Sequence, residues 1–325
     1  DLVALFLAWE LMSTPTYILA AMGPNRAAVD GAVKYFVLGM LATMLMLFGI
    51  ALIYGVAGTT DLSALSVIIR QHWNATTIDL SAVATLLLAM VMLVIAFGFK
   101  IGVFPGWMWV PDTYSSADGS VAAYLAGGTK KAGVGALMQI MMVGFIGVRL
   151  QWIPLIIVIS IITMFLGNIL ALRQQNITRM LAYSSIAMMG YLFIGLAAGT
   201  QFGAAAAIFH AFVHALMKTS AFIVVWAIAV RLRHQVTYDD LVGLSSRAPF
   251  ASGLFAVLML SLAGMPPTAG LLSKIFLFGS AVEVGMWWLA LIGALNSVIS
   301  LGYYLRVLRV CYMTGSNDGE RLRLA

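Results

Sequence analysis

The residues with the most chemical potential in this chain are its six lysines: Lys34, Lys100, Lys130, Lys131, Lys218 and Lys274. All fall inside or close to long apolar runs, whereas the twelve arginines lie between those runs or near their ends. An ammonium at mid-bilayer costs about 2.5–3.5 kcal/mol on insertion scales, so a lysine kept there is a functional candidate. Desolvation can pull a lysine pKa toward neutrality, while a guanidinium stays charged. Lysine is therefore the basic residue suited to taking up and releasing a proton away from water. Snorkelling from a helix end is the competing structural reading. It accounts for Lys131 and partly for Lys34, but poorly for Lys100, Lys218 and Lys274.

Two further groups join them. His210, His214 and Lys218 recur every four residues and so share one face of a helix, about 6 Å apart along its axis. Three protonatable groups in file suit a proton relay, since histidine titrates near neutral pH. Two histidines at this spacing could instead ligate a metal, but no Asp or Glu lies nearby and the single cysteine, Cys311, is remote. Neither metal nor cofactor is expected in the chain. Glu10 sits near the middle of the first apolar run, where an unpaired carboxylate is costly. Lys34 or Lys100 from a neighbouring run is its expected partner, with a static structural ion pair as the alternative.

The elements that must position these groups follow from composition. The 325 residues are 62% hydrophobic and 9% charged, with a mean hydropathy of +1.00. A soluble domain carries roughly a quarter charged residues, so the class is all-α integral membrane, with the lipid bilayer as solvent. The 31 glycines, 20 methionines and eight tryptophans suit helices packed through small residues and anchored by aromatic groups. The net charge of +6 is scattered between apolar runs, which reads as topology and excludes a nucleic-acid partner. One cysteine excludes a disulfide framework within the chain.

Nine spans are predicted: Leu2–Met22, Gly31–Ala57, Leu80–Phe104, Val121–Val148, Trp152–Leu172, Arg179–Gly199, Phe202–Val230, Phe250–Glu283 and Gly285–Leu308. Turn signals at Gly23-Pro24-Asn25, Gly58-Thr59-Thr60-Asp61 and Pro111-Asp112 separate them. Alternate connections then place Arg26, Arg173, Arg179, Arg231, Arg233, Arg247, Arg306, Arg309, Arg321 and Arg323 on one face, and only Arg70 and Arg149 on the other. Such asymmetry makes the arginine-rich face cytoplasmic. The chain starts at Asp1 with an apolar run under way by Leu2, and ends in a polar tail from Asn317 to Ala325. Residues 1–325 therefore read as one transmembrane domain, cut from a longer protein.

Two spans look broken. Lys100 is followed by Gly102, Pro105 and Gly106, and Gly264-Met265-Pro266-Pro267 interrupts the eighth run shortly before Lys274. Glycine relaxes a helix and proline removes a donor. Membranes tolerate this where the freed groups face protein or water. Corresponding breaks in two halves are the mark of a repeat-built transporter, here about 1–150 and 151–310. The Gly127-Gly128 pair is expected to loosen the fourth span likewise.

Several stretches are similar to one family: Trp9-Glu10-Leu11-Met12-Ser13, Val33-Lys34-Tyr35-Phe36 with Gly39, Phe97-Gly98-Phe99-Lys100 leading to Trp109-Val110-Pro111-Asp112, and Asn176 through Ser185. His210 to Lys218 and Leu262 through Gly270, ending at Lys274, continue in the same order. Together they resemble the antiporter-like membrane subunits of respiratory complex I, subunit N (the NADH dehydrogenase subunit 2 family) most closely. The resemblance implies a fourteen-helix fold with two inverted five-helix repeats, of which this chain would hold the fifth to thirteenth helices. By motif, Glu10 matches the family's helix-five glutamate and Lys100 the lysine of its broken seventh helix. Lys130, preceded by Thr129, fits the eighth-helix lysine better than Lys131, and Lys274 matches the lysine of the broken twelfth helix. A related subunit, M, has glutamate there.

The expected function is a proton-translocating membrane-arm subunit of a complex I-type NAD(P)H, F420H2 or ferredoxin:quinone oxidoreductase. Its proton path would use Glu10, Lys34, Lys100, Lys130, His210, His214, Lys218 and Lys274. The resemblance puts the donor (NADH or another), FMN, iron–sulfur clusters and quinone in partner subunits, with other membrane subunits as neighbours. It points to a bacterial or archaeal cell membrane, with inner mitochondrial or thylakoid membranes as further settings. The rival readings are a multisubunit cation/proton antiporter, a membrane-bound hydrogenase subunit and a non-transporting scaffold.

Overall fold

A computed structural model describes residues 1–23, 26–74 and 79–314. Pro24, Asn25, Arg321, Arg323 and the tail from Asn317 lie outside the described residues. The first four helices are α1 (Leu2–Ala21), α2 (Arg26–Ala57), α3 (Leu62–Asn74) and α4 (Leu80–Ile101). Next come α5 (Trp109–Ser116), α6 (Gly119–Tyr124), a π-helical turn (Leu125–Thr129), α7 (Lys130–Gln139) and a second π turn (Ile140–Gly144). The remainder comprises α8 (Arg149–Leu172), α9 (Ile177–Ala198), α10 (Gln201–Leu232), the short α11 (Leu244–Arg247), α12 (Pro249–Ala263), α13 (Ala269–Glu283) and α14 (Trp287–Met313).

Among the described residues, seven helical runs are long and apolar enough to cross a membrane: α1, α2, α4, α8 with the turn before it, α9, α10 and α14. The other two predicted spans fall on shorter helical pieces, the run from α6 through the second π turn and the α12–α13 pair. The chain is thus an integral, multi-pass membrane protein. Helix starts carry side-chain caps where water or loops replace lipid: Asp1 accepts from Val3 N, Asn176 from Arg179 N and Thr200 from Gly203 N. Helix α9 is the axis of the bundle, with its whole apolar stretch buried. It can lie against α8 because glycine meets backbone there. A Cβ on Gly167 would stand 2.5 Å from Ala187 N, and one on Gly190 would stand 2.8 Å from Met164 N.

Two expectations change. Pro111-Asp112 is not a turn: both residues lie inside α5, where proline is tolerated in a first turn. The stretch after Asp61 is not merely a connection. Asp61 accepts from Ser63 N and Ala64 N, and Leu62, Leu65 and Ile69 bury one face of α3; at 13 residues this helix is too short to span. The expected breaks are present: α4 ends at Ile101, before α5; α12 and α13 divide the Phe250–Glu283 run; and π turns interrupt the Val121–Val148 run, the first containing Gly127-Gly128.

Candidate functional site: a buried file of amines and imidazoles

The two breaks share one backbone pattern. Helix α4 ends at Gly102, left-handed at φ 78°, whose N–H donates to Gly98 O and Phe99 O while Val103 N also donates to Gly98 O. Helix α12 ends at Gly264, φ 83°, whose N–H donates to Leu260 O and Ser261 O while Met265 N also donates to Leu260 O. Such endings satisfy some final carbonyls and leave others facing the interior. The left-handed region is what makes glycine necessary there.

Lys100, in the last turn of α4, is fully buried. Its Nζ donates to Tyr35 OH at 2.7 Å and Ser13 Oγ at 3.0 Å, and lies 5.1–5.7 Å from the ring centroids of Tyr35, Tyr17 and Trp9. Hydroxyls and ring faces thus hold this amine. Lys130 opens α7, equally buried, with its Nζ 5.0 Å from the Tyr114 centroid, 5.9 Å from that of Trp109 and 3.5 Å from Ser185 Oγ. Lys131 does not snorkel: its amine turns back to the Ala126 carbonyl within the first π turn.

The predicted helix face of α10 is present. The His210 and His214 rings are 6.2 Å apart and 5° from parallel, and Lys218 continues the file. All three are fully buried. Lys218 donates to Leu181 O at 3.0 Å and to Ser184 Oγ, beneath the ring of Tyr304. His210 Nδ1 lies 3.0 Å from Ser273 Oγ, the residue before Lys274. The Lys274 amine reaches back from α13 to the end of α12, donating to Ala263 O at 3.1 Å and Leu262 O at 3.3 Å, with the Tyr191 centroid at 5.1 Å. Both His214 nitrogens, His210 Nε2, Tyr114 OH and Tyr304 OH are buried with no protein hydrogen-bond partner. Water is the partner such groups normally take.

Glu10 and Lys34 stand apart from this file, and the expected pairing between them and Lys100 is not found. Half-buried Glu10 accepts instead from Thr43 Oγ1 at 2.7 Å. Lys34 is 60% exposed and pairs with Asp112 at 2.8 Å; Asp112 also takes Arg179 at 3.1 Å. The reason is length. At 32 residues, α2 outruns the bilayer, so a lysine two turns from its start remains at a water-accessible end. Among the described residues no Asp or Glu side chain is buried.

Sequence reasoning gave no role to the groups that line the file: Tyr35, Trp109 and Ser185, which lie in the motif stretches, and Tyr114, Tyr191, Ser273 and Tyr304. The available signal was helical spacing. Ser13 lies three residues after Glu10, and Ser184 and Ser185 fall on one turn of the wholly buried α9.

A polytopic bundle with two broken helices and titratable side chains in its interior is an architecture found among membrane transport proteins. The chain belongs to the NADH:quinone oxidoreductase/Mrp antiporter transmembrane family, whose model matches residues 1–300. It is 40% identical over 315 residues to NADH-quinone oxidoreductase subunit N of Trichlorobacter lovleyi, covering 96% of this chain and 63% of that one. It is 37% identical over 321 residues to F(420)H(2) dehydrogenase subunit N of Methanosarcina mazei, covering 96% and 64%. The chain therefore spans somewhat under two thirds of these relatives. Among solved structures, respiratory complex I from Thermus thermophilus matches with TM-score 0.80 and 29% identity, over 98% of this chain and 68% of that one. The Mrp complex from Dietzia sp. DQ12-45-1b matches with TM-score 0.86 and 25% identity, over 100% and 61%.

Proposed function

We propose that this chain is a proton-translocating membrane-arm subunit of a complex I-type oxidoreductase, with its arginine-rich face toward the cytoplasm of a bacterial or archaeal cell. The observation that carries the reading is the buried run Lys100, Lys130, His214 with Lys218, His210 and Lys274, reaching from one helix break to the other. The shared hydrogen-bond pattern of the two breaks supports two repeats, about 1–150 and 151–310. Protons enter the file near Lys100 and leave from Lys274. Glu10, one turn from Ser13, acts on Lys100 at a distance. Donor oxidation, FMN, iron–sulfur clusters and quinone belong to partner subunits, and other membrane subunits cover the lateral faces. The Lys100→Met variant, in an assembled complex, is expected to lose proton pumping; unchanged proton-to-electron stoichiometry would overturn the reading.

The likeness to the Mrp complex favours a second reading, a cation/proton antiporter subunit. A sodium ion wants carboxylate or carbonyl oxygens, and the fully buried file offers amines and imidazoles instead. Sodium-dependent pH gradients in vesicles would select the antiporter.

A further inference from the structure

Two stacked rings lie between the first two amines of the file. Tyr35, on α2, and Trp109, the first residue of α5, are fully buried with centroids 4.1 Å apart and 14° from parallel. Lys100 is held against Tyr35 by its hydroxyl, and Lys130 lies over Trp109. The polar atoms of both rings are already engaged. Trp109 Nε1 donates to Phe99 O at 2.8 Å, and Tyr35 OH, besides accepting from Lys100, lies 3.0 Å from Thr16 Oγ1. None of these bonds runs on to Lys130, so the closed stack itself provides no hydrogen-bonded route between the two amines.

A charge cluster lies one turn from the stack. Trp109 rides on α5, an eight-residue helix separated from α4 by the break at Gly102. Asp112, three residues after Trp109, uses one oxygen for Lys34 of α2 and the other for Arg179 of α9. Lys34 is the residue next to Tyr35. The same turns of α2 and α5 thus carry both the ring stack and the ion pairs. The ion pairs border a cavity of about 290 Å³ that Asp30, Lys34, Asp112 and Arg179 help to line. Water-exposed ion pairs of this kind are individually weak, as a latch that opens on every turnover requires.

We propose that the Tyr35–Trp109 stack is a gate between Lys100 and Lys130, and that Asp112 is the positioning residue that keeps it closed by tying α5 to Lys34 and Arg179. The proposal rests on the proton-path reading above. Its test uses the assembled complex in vesicles without electron donor, following the collapse of an imposed pH gradient. Asp112→Asn, which keeps the side-chain shape, and Trp109→Leu, which removes the stack, should each speed the collapse several-fold. Adding Lys274→Met to either should abolish that leak by cutting the file downstream. No faster collapse in either assembled variant overturns the gate, as does a leak that survives Lys274→Met. If Trp109→Leu fails to assemble, Asp112→Asn alone decides. Failure of the path reading itself shows separately, as normal pumping by Lys274→Met alone.

Discussion

The amine of Lys274 lies against Gly264: a Cβ on that glycine would stand 3.3 Å from the lysine Nζ and 3.2 Å from its Cδ. The side chain thus runs from α13 across the break to the last carbonyls of α12, where the helix end carries partial negative charge. The first break repeats the relationship with a different donor helix. A Cβ on Gly102 would stand 3.1 Å from the Nζ of Lys130. Each break therefore receives one buried amine at the C-terminal end of its first half.

This contact makes Gly264→Ala costly in two ways. The residue is left-handed at φ 83°, which costs an L-residue about 1–2 kcal/mol, and the new methyl crowds Lys274. Thermal unfolding of the solubilised complex should show the loss, and vesicle acidification should fall with it. Gly253→Ala, in the same α12, is the control. A Cβ there meets nothing within 4 Å, and replacing a mid-helix glycine gains about 0.5–1 kcal/mol. Equal damage from both variants would contradict the assignment.

His214 separates stability from function. Neither ring nitrogen has a protein partner, and replacing an unsatisfied buried polar group by an apolar one of similar shape is close to neutral or stabilising. His214→Leu should therefore leave thermal stability unchanged or raised, while proton pumping in vesicles falls. A variant that pumps normally would remove His214 from the path. A variant that unfolds would make the ring a packing residue.

How much of this was readable in advance depends on which force set each position. Lys100, Lys130, Lys218 and Lys274 in apolar runs, the four-residue spacing of His210, His214 and Lys218, and the glycine–proline breaks are local signals, and each marks a buried side chain or a helix end. Lys34 misled because hydropathy marks an apolar run without showing how far a long helix stands out of the membrane. Glu10 misled because its partner is a neutral hydroxyl, Thr43, which no charge pattern announces. The stacking of Tyr35 on Trp109 and the clamp on Asp112 join residues 74 and 78 positions apart (109 − 35 and 112 − 34). Such pairings exist only once α2, α5 and α9 have packed.

A second buried network, which meets the lysine file at Tyr191, should act mainly on stability. Asn168 donates to Tyr191 OH and to Asn296 Oδ1 and O at 3.1–3.3 Å, and accepts from Tyr303 OH at 2.9 Å. It thereby ties α8 to α9 and α14. Asn168→Leu leaves several of these groups unpaired, at about 1–3 kcal/mol for a lost buried partner. The expected result is a clear drop in unfolding temperature. Unaltered stability would mean that the surrounding groups re-pair without it.

The most direct test of the central claim is acidification of inverted vesicles carrying the assembled complex with Lys274→Met, followed with a fluorescent pH probe while donor oxidation is recorded. This lysine ends the file, and methionine keeps most of its volume while removing the amine. The account predicts assembled complex with lost acidification. Normal acidification per electron transferred would contradict it, and would leave the buried lysines as structural residues.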